Sequence, residues 1–337
     1  MLMHTRGFLI MTDQGTMVLT GKRALDFSGC VSAEDDLSLG GYTSIMGPNG
    51  QAQAHASDLG DAYTLLYRYY TQTYTPPGAR RPPRMPSEDP DTRDISQTEY
   101  PGDLGHGFNT VGEIFSLEHN PDRKRPFAVR PVMSAVADSD SEAVERWSAM
   151  HGAETVVVWE TRVGGYATTM VGIENQPMAR LGQKTDAGPD TLAAGTLFPQ
   201  ASRKLARSIN AASGKRPVVV LANLSGFDGS PESLRHWQLE YGAEIGRSVV
   251  NFDGPIVLVI LSRYHGGAYV VFSKALNPNL TSVALEGSYA SVIGGAPAAA
   301  VVFAGEVRKR AQDLGGTSEA TVQATAELAS RFDGIHS

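Results

Sequence analysis

The stretch "PIVLVILSRYHGGAYVVFSKALNP", residues 255–278, runs through seven residues without a charge, reaches the double glycine Gly266-Gly267, and then resumes a helix-compatible pattern. An apolar run with no polar alternation marks a strand buried on both faces, as in a parallel sheet covered by helices. Glycines at the carboxyl end of such a strand leave backbone N–H groups without ladder partners, at the positive end of the helix that follows. The stretch therefore predicts a parallel sheet, and beside it a loop of main-chain donors suited to a developing oxyanion.

A second loop of the same plan lies upstream in "LANLSGFDGS", residues 221–230. The run 217–222 reads as a strand, Gly226 and Gly229 permit left-handed turns and close approach, Ser230 is a helix N-cap, and Pro231 fits the first helical turn. An ordinary strand-to-helix connection uses the same residues, so this loop is either a site or a plain turn. Further strands are expected over 155–159, 168–171 and 300–303. Helices are expected over 200–212 and 231–250, the second burying Leu234, Trp237, Leu239, Tyr241, Ile245 and Val249. Alternating strands and helices with apolar strands give an α/β unit.

Ahead of this unit, residues 8–11 and 17–20 read as short strands. Leu59, Ala62, Tyr63, Leu65, Leu66 and Tyr69 recur at helical spacing as far as Thr71. Residues 75–103 hold seven prolines and few aliphatic side chains, so they form no regular core element. The chain thus divides into residues 1–74, a proline-rich linker at 75–103, and residues 104–337.

Composition narrows the function. Of 337 residues 36 are acidic and 29 basic, a formal charge of -7, with no basic stripe interleaved with aromatics; nucleic acid is not an expected partner. No apolar run approaches a membrane span, and no leader pattern opens the chain. The single cysteine, Cys30, forms no internal disulfide or Cys-rich zinc site; it reads as a small buried thiol and points to a reducing, cytoplasmic setting. Neither phosphate-loop pattern is present, nor H-E-x-x-H or G-x-S-x-G, so no nucleotide, metal or serine nucleophile is indicated. His265 beside the double glycine, Arg263 and Lys274 each either meet an anionic ligand or stand as solvated side chains.

Three runs in order, "LANLSGFDGSPESLRHWQLEYGAEIGRSVVNFDGPIVLVI", "RYHGGAYVVFSKALNP" and "EGSYASVIGGAPAAAVVF", together with "GTMVLTGKRAL" and "LSLGGYTSIMGPNGQAQAHASDLGDAY" nearer the start, resemble the biotin-dependent acyl-CoA carboxyltransferases. That family includes the carboxyltransferase parts of acetyl-CoA and propionyl-CoA carboxylases. The resemblance implies an α/β, crotonase-like β-β-α spiral, with a partial N-terminal domain and a near-complete C-terminal domain. It implies carboxyl transfer from carboxybiotin to an acyl-CoA, as in fatty acid biosynthesis, with negative charge developing on the biotin ureido oxygen and on the thioester. In the family backbone amides stabilise both, which accounts for the missing catalytic side chain.

By the same resemblance Gly266, Gly267 and Ala268 match the donors facing the biotin oxygen. Gly226, Phe227 and Gly229 match the neighbouring loop, with Tyr269 close behind. Several relatives carry an arginine just before the double glycine to meet a carboxylate; here that position is His265, with Arg263 two residues earlier. The implied cofactor is biotin on a carrier, with no metal. The implied partners are an acyl-CoA, a biotin carboxyl carrier protein or domain, biotin carboxylase, and either a second copy in a dimer or a complementing N-domain polypeptide. The family's acyl-CoA loops have no counterpart ahead of Phe8, which implies a fragment or one half of a two-polypeptide enzyme, with little activity alone. A non-catalytic or complementing subunit and a biotin-dependent decarboxylase subunit stand as alternatives.

Overall fold

The computed structural model describes residues 7–29, 31–182 and 188–335; Cys30, expected as a buried thiol, lies outside the described residues. Thirteen strands run in chain order: β1 (Ile10–Thr12), β2 (Ala54–Ala56), β3 (Val144–Arg146), β4 (Val156–Val163), β5 (Tyr166–Ile173), β6 (Met178–Ala179), β7 (Thr191–Leu192), β8 (Thr196–Leu197), β9 (Val218–Leu224), β10 (Gly226–Phe227), β11 (Ile256–Tyr264), β12 (Leu280–Ala284) and β13 (Tyr289–Ala290). The main sheet has the order β12-β11-β9-β5-β4-β3, with β13 added beside β11. Strands β12, β11, β9 and β5 are parallel; β5, β4 and β3 pair antiparallel. The sheet is therefore mixed, with the expected parallel half where the glycine loops leave it. The antiparallel half follows from Gly164-Gly165, both at positive φ, which close a two-residue hairpin between β4 and β5.

Helices α1 (Lys22–Phe27), α2 (Asp36–Gly40), α3 (Leu59–Thr73), α4 (Val111–Ile114), α5 (Val129–Val136), α6 (Pro199–Ala212), α7 (Pro231–Arg235), α8 (Gln238–Val250), α9 (Gly267–Val271), α10 (Gly295–Val301), α11 (Ala304–Asp313) and α12 (Ser318–Ile335) complete the chain. Among the described residues no helix is long and apolar enough to cross a membrane. The period-2 geometry of the strands explains the continuous apolar runs. Val218, Val220, Ile256 and Leu258 pack under Leu205 and Ile209 of α6 and Ile245 and Val249 of α8. Leu221 and Leu261 face the other way, against Val129 and Met133 of α5. With both faces covered, neither set of positions can be polar.

Three expectations are corrected. Residues 300–303 are not a strand: 295–301 form α10, whose Ala299 packs with Ala320 and Ala324 of α12. A short apolar run does not distinguish strand from helix, and the alanines and Pro297 in the first turn favour the helix. Residues 17–20 are not a strand either; Thr16 makes only an isolated bridge to Gly41, and β1 pairs instead with β2. The single helix expected over 231–250 breaks at Trp237, which has φ 71°. The buried face of α8 is Gln238, Gly242, Ile245, Ser248 and Val249, which leaves Leu234, Trp237 and Leu239 exposed. Residues 75–103 hold a short helical turn at Ile95–Gln97 and the start of another at Gly102–Leu104, and run against the main unit, with Met85 N–H bonded to the Gly165 carbonyl.

A buried ionic cluster ties the antiparallel half to β9. Glu160 on β4 is fully buried and accepts from Arg146 Nη1 at 2.7 Å and from Arg216 Nε and Nη2, each at 2.7 Å. Thr169 Oγ1 donates to it at 2.8 Å. Burial alone would raise the carboxyl's pKa; Arg216 and then Arg146 more than offset it and hold it below the usual range. The depressed pKa makes this a stabilising contribution present above the ordinary glutamate pKa and lost as pH falls through the folded value. Glu160→Gln leaves two buried guanidiniums without their counter-charge and is expected to lower the unfolding free energy by about 3–5 kcal/mol at neutral pH. Urea titrations of both proteins from neutral to acid pH check this, and the difference should shrink toward the acid end.

Candidate active site at the two glycine loops

Because β9 and β11 are adjacent and parallel, in register from Val218 opposite Ile256, the loops leaving their carboxyl ends emerge side by side. The first continues as β10, which pairs with β8, and Ser225 N–H bonds to the Gly195 carbonyl at 2.7 Å. Ser230 caps α7 as expected: its Oγ accepts from Ser233 N–H at 3.2 Å, with Pro231 in the first turn. Asp228 accepts from the Ser230 and Ser233 hydroxyls, each at 2.5 Å, so the loop is closed by its own side chains.

The second loop turns at Gly266, with φ 67° and ψ −147°, a conformation open in practice only to glycine. A Cβ there would lie 3.4 Å from Gly226 Cα, and Gly226 itself has φ 131°. The two backbones thus touch where both residues lack a side chain. Phe227 fills the adjoining space: a Cβ on Gly267 would meet its ring at 2.5 Å, and one on Gly242 of α8 would meet it at 3.4 Å. Tyr264 Oη donates to the Ala268 carbonyl at 2.5 Å, and burial, then Tyr269, pushes the phenol pKa up. Tyr264 stays neutral and anchors α9.

Of the three residues expected as donors, Gly266 has its own N–H engaged within the protein. Gly266 N–H bonds to the Val292 carbonyl at 2.9 Å, so it holds the loop to the segment after β13. Gly267 and Ala268 open α9 and have no carbonyl one turn back to receive their N–H groups, whereas Tyr269 N–H returns to the Gly266 carbonyl at 3.1 Å. Gly267 is partly exposed and Ala268 buried. Two adjacent, rigidly held amides are what a localised negative charge on an oxygen requires.

Arg263 on β11 and His265 just past its end line one cavity of about 820 Å³ together with Ser225, Tyr289 and Gly294. His265 Nδ1 lies 3.1 Å from Ser291 Oγ. Arg263 turns away from the double glycine: its Nη2 donates to the Asp122 carbonyl at 3.3 Å and its guanidinium lies 5.4 Å from the centre of the Tyr289 ring. None of Gly226, Phe227, Gly267 and Ala268 lines that cavity, so the predicted residues divide between the loop backbones and a neighbouring chamber. Gly229 stands exposed in open space, Tyr269 is half exposed, and Lys274 is exposed.

Sequence reasoning did not single out Asn223, whose Oδ1 accepts from Arg263 N–H at 2.9 Å, or the pair Gly294-Gly295. A Cβ on Gly294 would lie 3.5 Å from the His265 ring, and Gly295 N–H bonds Asp333 at 2.8 Å. The available signal was the same one used upstream, two glycines before a small-residue helix.

Among the comparisons with known proteins, residues 4–334 match the carboxyl transferase domain family. The acetyl-CoA carboxylase of Schizosaccharomyces pombe is 27% identical over 275 residues, covering 77% of this chain and 11% of that protein. That of Dictyostelium discoideum is 26% identical over 278 residues, covering 79% and 12%. The crystal structure of transcarboxylase 12S with methylmalonyl-coenzyme A and methylmalonic acid bound superposes with a TM-score of 0.70 at 19% identity, covering 95% of this chain and 54% of that one. The chain thus spans about a tenth of the curated relatives it matches.

The strain at Gly266 is testable by itself. Gly266→Ala is expected to cost about 1–3 kcal/mol, against less than about 0.5 kcal/mol for Gly229→Ala in open space, both read from denaturant midpoints.

Proposed function

This chain belongs to the carboxyl transferase domain family, and from that premise we propose that it moves a carboxyl group between carboxybiotin and an acyl-CoA, with the meeting point of the two glycine loops as the biotin side of the site. The carrying observation is the pair of amides at Gly267 and Ala268, fixed at the carboxyl edge of a parallel sheet by the Gly226–Gly266 contact. The fold is the α/β crotonase-like one of the solved relatives.

The residues fit such a group. The bare backbones of Gly226 and Gly266 approach each other, and Phe227 packs against Gly267 as an apolar wall beside the two amides. Biotin, when bound, supplies or receives the carboxyl group. The chain's own part is to hold negative charge on the ring's carbonyl oxygen by two N–H donors that need no proton transfer and no reorganisation. Arg263 and His265, in the adjacent chamber, serve in this reading as the carboxylate-recognising side. Gly226, Phe227, Gly229 and Tyr269 shape the approach, and Gly266 sets the turn.

Within this reading residues 1–74 close one domain, 75–103 link it, and 104–337 form the domain that carries the biotin side. The acyl-CoA side comes from a second copy or a complementing polypeptide. Exposed Trp237, Leu239, Tyr269 and Val270 on the helices that follow the two loops support a covering partner there. Transcarboxylase 12S forms a hexamer assembly, and a homo-oligomer is our reading for this chain as well. A biotin carrier and biotin carboxylase are its proposed partners, and the cytoplasm is its proposed compartment, supported by the lone cysteine.

The test separates the amide from the space it occupies. Gly267→Ala and Gly267→Pro both add a Cβ against Phe227, but only proline removes the N–H, at a first-turn position where its φ is tolerated. In biotin-dependent decarboxylation of malonyl-CoA or methylmalonyl-CoA by the assembled enzyme, Gly267→Pro should be about 10²–10³ slower than Gly267→Ala. Equal rates would take that amide out of the mechanism.

A further inference from the structure

Within the proline-rich segment, the run Arg80-Arg81-Pro82-Pro83-Arg84-Met85-Pro86 carries three arginines and no acidic residue. Proline fixes φ near about −65° and holds the residue before it in extended backbone. Only Arg80 and Arg84 escape that restraint. The chain bends at Arg80 and Arg81 and then runs through residues 82–87 with no helix, strand, turn or bend. Sequence and backbone together give a polyproline II helix from Pro82 to Pro86.

Such a helix repeats every three residues, so its side chains fall on three edges. The body of the protein takes the edge of Arg81 and Arg84. Arg84 Nε donates to the Gly164 carbonyl at 2.8 Å, and its guanidinium lies 5.2 Å from the centre of the Tyr166 ring. Arg81 Nη2 reaches Asp253, in the turn after α8, at 3.9 Å. Met85 N–H bonds to the Gly165 carbonyl at 2.9 Å, and a Cβ on Gly165 would collide with the segment. The bare β4–β5 hairpin is thus the seat on which the helix is fixed.

The other two edges face solvent. Pro83, Met85 and Pro86 are exposed and Pro82 is half-buried. Pro82-Pro83 and Met85-Pro86 form two apolar pairs one turn apart, roughly 9 Å at the usual rise. Arg80, just before them, has a side chain 86% exposed and meets Asp253 only at 3.5 Å. Asp253 is the one carboxylate that the structure brings to these three arginines, so the segment keeps surplus positive charge on a chain whose formal charge is -7.

We propose that residues 80–86 are a docking segment for a partner protein that receives a polyproline II helix in an aromatic-lined groove, of the SH3 kind, with carboxylates at the end that meets Arg80. Proline-rich helices are bound this way because their backbone is already ordered and little entropy is lost. Here the hairpin adds to that order and leaves the two apolar pairs outward. The surplus charge at Arg80 selects an acidic rim and sets the direction in which the segment lies in the groove.

The test is isothermal titration of the full chain with a purified SH3 domain that binds R-x-x-P-x-x-P peptides, beside a synthetic peptide of residues 78–88. Saturable binding is expected, at least as tight for the chain as for the peptide, because the fold has fixed the segment beforehand. Pro83→Ala and Pro86→Ala should each weaken it about tenfold, as loss of a buried anchor does. Arg80→Glu should weaken it most at low salt, and Pro90→Ala, outside the run, should leave it unchanged. Thermal midpoints and gel filtration of each variant check that it has folded and kept its assembly. The proposal is overturned by the absence of saturable binding to the chain, by binding weaker than the peptide's, or by affinity unchanged in folded Pro83→Ala and Pro86→Ala. It is also overturned if those substitutions change the chain's own oligomeric state, which would make the segment a contact between copies. None of these readouts depends on whether the chain transfers carboxyl groups.

Discussion

The contact between the backbones at Gly226 and Gly266 positions everything at the carboxyl edge of the sheet. Two parallel neighbours deliver their loops to the same place, where both backbones turn at a positive φ that side chains rarely adopt. Gly266 meets this by adopting φ 67°, and Gly226 by offering a bare Cα. The N–H of Gly266 then falls on the Val292 carbonyl, and the next two residues open α9. Phe227, wedged against Gly267 and Gly242, fixes α9 to α8. The amide pair is thus a by-product of strand order, held by packing on both sides.

What the sequence revealed of this follows the range of the interactions concerned. The β11 run, the Ser230–Pro231 cap and the two glycine loops were legible because each is decided within a few residues, by burial on both faces, by one N-cap oxygen, or by a backbone angle. The capture of Gly266 N–H by Val292, 26 residues later by the numbering, was not, since nothing near Gly266 announces it. Arg263 shows the same limit: the sequence offered it as an anion-meeting or a solvated side chain, and its turn toward the Asp122 carbonyl depends on a distant segment. The misread strand at 300–303 and the misread continuous helix at 231–250 fail for a different reason. Apolar content alone does not fix the period in a four-residue run, and a single left-handed residue, Trp237, interrupts a pattern that otherwise continues.

The two ends of β9 handle negative charge by different physics, and the difference sets what each end can do. At the glycine end the donors are neutral amides. They bring no charge to desolvate and hold no proton to lose, so they favour charge wherever it gathers on an oxygen during a reaction and release it afterwards. At the other end the guanidiniums of Arg146 and Arg207 lie over Trp147, and one buried carboxylate, Glu160, is shared by Arg146 and Arg216. Formal cations withdrawn from water need a permanent counter-charge, and Glu160 supplies it within the fold. The sheet thus has neutral backbone amides at one edge and buried cations at the other. The β9 strand, largely buried, separates the two ends.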